Sequence, residues 1–126
     1  MSVKYNLSEK GNPANPGGPK KWYATAKGSG VVTLKTLGKE VTQRSTVNYA
    51  DALAVLEVLN QVLTENLAEG RIVRFGDFGS FQVSIGSEGA ATPDKFHASM
   101  IRTRKVVFRP GTDLKEMLGN LKFEKL

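Results

Sequence analysis

The apolar positions divide the chain into segments of different period. From Asn48 to Glu69 they form two stripes at helical spacing, Leu56, Leu59, Leu63 and Leu67 on one and Ala52, Val55, Val58 and Val62 on the other. Together the stripes exceed the ~100° face that an ordinary surface helix buries. Such a helix in a short chain needs cover on two sides, one from its own domain and one from a second copy. Asn48 can cap it, Asp51 follows three residues later, and Gly70 supplies a stop. An earlier segment, Val31 to Gln43, carries Val31, Leu34, Leu37 and Val41 at helical spacing, with Gly38 inside it weakening the helix.

Elsewhere the period is two. Val3, Tyr5 and Leu7 alternate with polar residues, and so do Trp22, Ala24 and Ala26. Between them lies the turn-rich Asn12-Pro13-Ala14-Asn15-Pro16-Gly17-Gly18-Pro19, so residues 1–30 read as a β-hairpin extension. Arg71 to Ile85 reads as strand, glycine turn and strand, Ser84 to Met100 as loop, and Ile101 to Phe108 as a third strand ended by Pro110-Gly111. Thr112 can cap a short final helix carrying Leu114, Met117, Leu118 and Leu121. The order hairpin, helix, helix, three strands, helix predicts an α+β fold.

Charge sharpens this picture. The 126 residues carry 18 Lys and Arg against 12 Asp and Glu, a net charge of +6, which favours an anionic partner. The charges fall in blocks: Glu9 is the only acid before Lys39, all charges from Asp51 to Glu69 are acidic, and all from Lys95 to Arg109 are basic. With no cysteine and the single histidine His97, a metal centre, a disulfide and a thiol nucleophile are not expected. No nucleophile elbow, phosphate loop or dinucleotide fingerprint is present, so neither an enzyme nor a cofactor is expected. No apolar run reaches the ~20 residues that span a bilayer, and Met1-Ser2-Val3-Lys4-Tyr5 lacks the apolar core of a signal peptide. The expectation is a cytoplasmic protein with no membrane partner.

The segment Gly70-Arg71-Ile72-Val73-Arg74-Phe75-Gly76-Asp77-Phe78-Gly79-Ser80-Phe81-Gln82-Val83, followed by Lys105-Val106-Val107-Phe108-Arg109-Pro110-Gly111-Thr112-Asp113-Leu114-Lys115, resembles the hallmark of the HU/IHF family of bacterial nucleoid proteins. The resemblance covers roughly residues 31–122. With the N-terminal extension and the closing Leu121-Lys122-Phe123-Glu124, the whole looks like the extended HU-like proteins of Bacteroides-type bacteria. The resemblance implies residues 31–126 as an HU-like domain: an intertwined homodimer with a helical base, a three-stranded antiparallel sheet and a protruding β-arm at about 84–104. It implies a histone-like protein of the bacterial nucleoid that binds and bends double-stranded DNA with little sequence specificity.

Carried onto this chain, the DNA-binding residues are Pro93, Lys95, Arg102, Arg104, Lys105, Arg109 and Lys115. Pro93 takes either the family's wedge between base pairs or a plain turn role. Arg102 and Arg104 alternate and so project to one strand face. Lys20 and Lys21 either extend the DNA surface or keep the hairpin soluble. Leu56, Leu59, Leu63, Phe75, Phe78 and Phe81 are assigned to the core and dimer interface. The arm departs from the family: Ala91-Thr92-Pro93-Asp94 stands where Arg-Asn-Pro is usual, and the outgoing strand Gln82–Asp94 holds Glu88 and no basic residue. Two alternatives follow: a single-stranded nucleic-acid binder using Tyr5, Trp22 and Tyr23, or a protein-interaction module with a degenerate arm and a protein partner at the N-terminal hairpin.

Overall fold

The computed structural model describes residues 1–126. The chain is α+β, with helices α1 (Leu34–Arg44), α2 (Tyr49–Ala68) and α3 (Thr112–Gly119). Strands β1 (Val3–Lys10), β2 (Lys21–Lys27) and β6 (Phe123–Lys125) form one sheet, and β3 (Val73–Phe75), β4 (Gly79–Ser87) and β5 (Ile101–Pro110) form the other. Two compact units result, Leu34–Glu116 and a smaller one built from Met1–Thr33 with Met117–Leu126.

In the larger unit α2 begins as its sequence predicts. The Asn48 side chain accepts the Asp51 amide at 2.9 Å and donates to the Asp51 carboxylate at 3.0 Å. Truncating this cap by Asn48→Ala is expected to cost about 1 kcal/mol, readable as a lower urea midpoint with an unchanged slope. Helix α1 starts at Leu34, later than the apolar spacing suggests, because Gly30 takes a left-handed φ of 118° and Val31 and Val32 stay exposed. It then runs through Gly38, a helix-weakening residue, because that position is buried: a Cβ there would lie 3.5 Å from the Tyr49 ring on α2.

The β3–β4–β5 sheet is antiparallel throughout. At Gly79, with φ 154°, an added Cβ would sit 2.5 Å from the Arg109 carbonyl oxygen and 2.6 Å from the Phe108 ring. A glycine is therefore needed where β4 passes β5. Strand β4 runs on to Ser87, so the expected loop narrows to residues 88–100, which contain two short 3-10 turns, Pro93–Lys95 and Ala98–Met100. Thr112 is the first residue of α3 rather than its cap.

The smaller unit contains the expected hairpin, with β1 and β2 antiparallel from Lys4↔Lys27 to Lys10↔Lys21. It also contains a strand that apolar periodicity does not reveal. β6 adds in parallel to the other edge of β1, with Val3 opposite Phe123, and the Val3 amide donates to the Lys122 carbonyl at 2.8 Å. Three residues are too few to show a period of two. The pairing makes the C-terminal residues part of the hairpin's sheet, although they lie far from it in sequence.

The interior is nearly empty of side chains. Ala52 is the one fully buried apolar residue. On α2 the Leu56, Leu59, Leu63 and Leu67 stripe is half-buried, whereas Val55 and Val58 are 63% and 55% exposed. No helix is long and apolar enough to cross a membrane.

Candidate nucleic-acid interface

The pairing of β3, β4 and β5 sorts their side chains onto two faces. Residues directly opposite in an antiparallel ladder share a face. The rows Val73↔Phe81↔Phe108 and Val83↔Val106 make one face apolar. Its aromatic rings form a cluster: Phe75 and Phe78 meet edge to face at 6.0 Å, Phe78 lies 5.6 Å from Phe108, and Phe81 lies 4.8 Å from Phe108. Phe75, Phe78 and Phe108 remain exposed at the rim of this cluster.

The opposite face is polar and basic. Arg74, Ser80 and Arg109 form one row across the three strands. Gln82 pairs with Val107, and Ser84 with Lys105. No carboxylate belongs to this face, and none of its three cations forms an ion pair. Arg74, Ser80 and Arg109, with Gly76, Gly79 and Gly111, line an open depression of about 290 Å³. Two guanidinium groups without carboxylate partners line this one depression, a suitable environment for a phosphate. Arg74 was not singled out by sequence reasoning. Its signal was present, since it alternates with Val73 and Phe75 and so must face away from them.

The arm cations are arranged differently from the sequence expectation. The ladder shifts between Gly86↔Thr103 and Ser87↔Ile101, so Arg102 has no partner residue on β4. This bulge breaks the alternation that would set Arg102 and Arg104 on one face. Arg104 instead stands opposite Ile85, on the face away from Lys105 and Arg109. The Arg102 Nε–H donates to Glu88 Oε1 at 2.9 Å, so the acid of the outgoing strand neutralises the first cation of the returning one. Glu88→Gln is expected to free Arg102 and to steepen the salt dependence of duplex binding by about 0.9 in log–log slope. A salt series by fluorescence anisotropy reads this, and an unchanged slope would show that Arg102 stays off the phosphates.

At the tip, Pro93 and Lys95 are exposed in a 3-10 turn closed by the Phe96 amide donating to the Pro93 carbonyl at 3.2 Å. The Thr92 side chain and Asp94's own backbone amide hold the Asp94 carboxyl below the usual carboxylate range. The tip thus carries one carboxylate beside its one lysine. His97 is exposed in the same loop. Lys115 is exposed on α3, and Lys20 and Lys21 are exposed at the start of β2.

Three comparisons bear on this arrangement. A family model described as HU-HIG, an HU domain fused to a wHTH, Ig or glycine-rich motif, matches residues 1–125. The DNA-binding protein HU of Thermotoga maritima is 32% identical over 87 residues, which cover 68% of this chain and 97% of that protein. A crystal structure of a candidate DNA-binding protein from Bacteroides vulgatus superposes with a TM-score of 0.69 at 14% identity, over 99% of this chain and 48% of that one. The likeness to the last is one of fold, and this chain spans about half the length of that protein. A protein partner at the N-terminal hairpin finds no support among these relatives.

Proposed function

The chain belongs to the HU-HIG family of HU-like proteins, and on that premise we propose that it is a non-enzymatic architectural protein of the nucleoid that binds and bends duplex DNA as a homodimer. The observation that carries the DNA reading is the acid-free sheet face of Arg74, Lys105 and Arg109, joined at the strand end by the glycine-lined depression. Guanidinium and ammonium groups on a rigid strand contact phosphates through charge-assisted hydrogen bonds and release counterions, with no need to read base edges.

The homodimer rests on packing. A domain whose only buried apolar side chain is Ala52 does not offset the conformational entropy of folding. The exposed valines of α2 and the open rim of the phenylalanine cluster supply the missing apolar surface. A second copy that covers them would complete a core shared by two chains. Leu56, Leu59, Leu63 and Phe81 then belong to the protomer's own side of that core, and Phe75 and Phe78 to the junction.

The arm takes a secondary part. Arg104 and Lys105 lie on its two faces and suit the backbone on either side of a groove, while Arg102 is held by Glu88. Pro93 is retained as the wedge candidate because it is exposed near the tip, beside a carboxylate that opposes close approach to phosphate. Lys95, Lys115, Lys20 and Lys21 add electrostatic attraction.

The test is binding of the full chain to a fluorescein-labelled 30-base-pair duplex between 50 and 300 mM salt. A steep, linear fall of log affinity with log salt, alike for unrelated sequences, supports the reading. Salt-insensitive binding, or none, would remove it. Energy transfer between dyes at the duplex ends reads bending separately.

A further inference from the structure

The β1–β2 hairpin gathers its lysines on one face. Cross-strand partners share a face, so the pairs Lys4↔Lys27, Asn6↔Thr25, Ser8↔Tyr23 and Lys10↔Lys21 lie together. Tyr5, Leu7 and Trp22 share the other face, as does Glu9, the only acid of the hairpin strands. Two of the four pairs on the lysine face therefore set like charges directly opposite each other, an arrangement that destabilises a sheet. None of these lysines is paired with a carboxylate. The one acid on the face is Glu124, in register with Lys4 and accepting the Ser2 hydroxyl at 3.0 Å. The two lysine pairs lie six residues apart along the strand, about 20 Å. At the distal pair the face opens into a depression of about 770 Å³ lined by Lys10, Lys21 and Tyr23 together with the Asn12–Pro19 turn.

We propose that this lysine face is a second binding surface for the phosphate backbone of duplex DNA, on a different sheet from the Arg74, Lys105 and Arg109 face. The Lys10/Lys21 pair, which no carboxylate flanks, raises the energy of the free hairpin and is relieved when phosphates lie over it, while at the other pair Glu124 flanks Lys4. A set of merely solubilising lysines has no reason to be opposed in register, with the hairpin's acid on the other face. The run between the pairs presents Asn6, Ser8, Tyr23 and Thr25, whose side chains offer hydrogen-bonding groups to phosphate and sugar oxygens. The proposal rests on the DNA-binding reading above and adds to it a role for the N-terminal unit.

The experiment compares the full chain with Lys4→Gln/Lys10→Gln/Lys21→Gln/Lys27→Gln in the same duplex salt series, beside urea unfolding without DNA. The variant is expected to lose up to about 3.6 in log–log slope for each bound chain, four contacts at ~0.9 each. Its urea midpoint is expected to stay near that of the wild type, since the lost Lys4–Glu124 attraction offsets the lost lysine repulsion. This joint outcome, weaker binding by a chain that is no less stable, separates a DNA surface from a structural role. If the wild type binds duplex steeply and the variant matches it, the lysine face is not a DNA surface while the main reading stands. If the wild type does not bind, both fall. Because an unfolded variant would confuse the result, Lys10→Gln/Lys27→Gln, which removes one lysine from each pair, is run alongside, and half the slope change is expected.

Discussion

Val58→Glu is expected to abolish the proposed dimer and with it the fold. Val58 sits midway along α2 on the stripe with Val55 and Val62, more than half exposed in the single chain. If a second copy covers this stripe, each valine contributes up to about 1.5 kcal/mol through the burial it completes. A carboxylate at the same place, if covered, must be taken out of water, a cost of several kcal/mol in each copy. Against a total stability of about 5–15 kcal/mol, that is enough to unfold a chain whose own core holds little more than Ala52. Light scattering on the wild type should report twice the 13.7 kDa chain mass, with an unfolding midpoint that rises with protein concentration. Val58→Glu should show an unfolded circular-dichroism spectrum for the helical segment. Val58→Ala, losing only apolar area, should stay dimeric with a modestly lower midpoint. A folded, monomeric Val58→Glu chain would overturn the shared-core reading.

The second large effect is on DNA. Arg74→Ala/Arg109→Ala removes both guanidinium groups of the row that Ser80 joins. Both are exposed and neither is held by a carboxylate, so the urea midpoint should barely move. Two lost phosphate contacts per chain should make the log–log salt slope shallower by about 1.8 for each bound chain and weaken binding at least roughly 50-fold at 0.1 M salt. Arg74→Lys/Arg109→Lys keeps the charge but not the fork, and should restore most of the slope with part of the affinity. An unchanged slope in the alanine variant would mean that DNA lies elsewhere on the molecule.

Much of the local structure was legible because it depends on short-range rules. The cap at Asn48, the two stripes of α2, the hairpin around its Pro-Gly turn and the three strands after Gly70 all follow from side-chain period and turn chemistry. The division of α2 into a leucine side and a valine side was also legible, since β-branched and unbranched residues repeat on separate stripes. Alternation alone separates Arg104 from Lys105 and Arg109, but the side of Arg102 could not be read from the sequence. A one-residue bulge at Arg102 reverses the alternation beyond it, and a bulge depends on how two strands pair.

By itself the sequence determined the α+β order, the elements' ends to within a few residues, the excess of positive charge and an apolar surface on α2 wider than one ordinary helix face. These are properties of neighbours along the chain, where backbone preference and hydrophobic period act directly. Only the tertiary structure decided which cations stand together. It brought Arg74 into one row with Arg109 from another strand, tied Arg102 to Glu88, set Lys4 against Lys27 and Lys10 against Lys21, and recruited Phe123–Lys125 to the edge of β1. Such juxtapositions join residues far apart in sequence. Their energy comes from ladder register and through-space charge, neither of which has a signature in the local pattern.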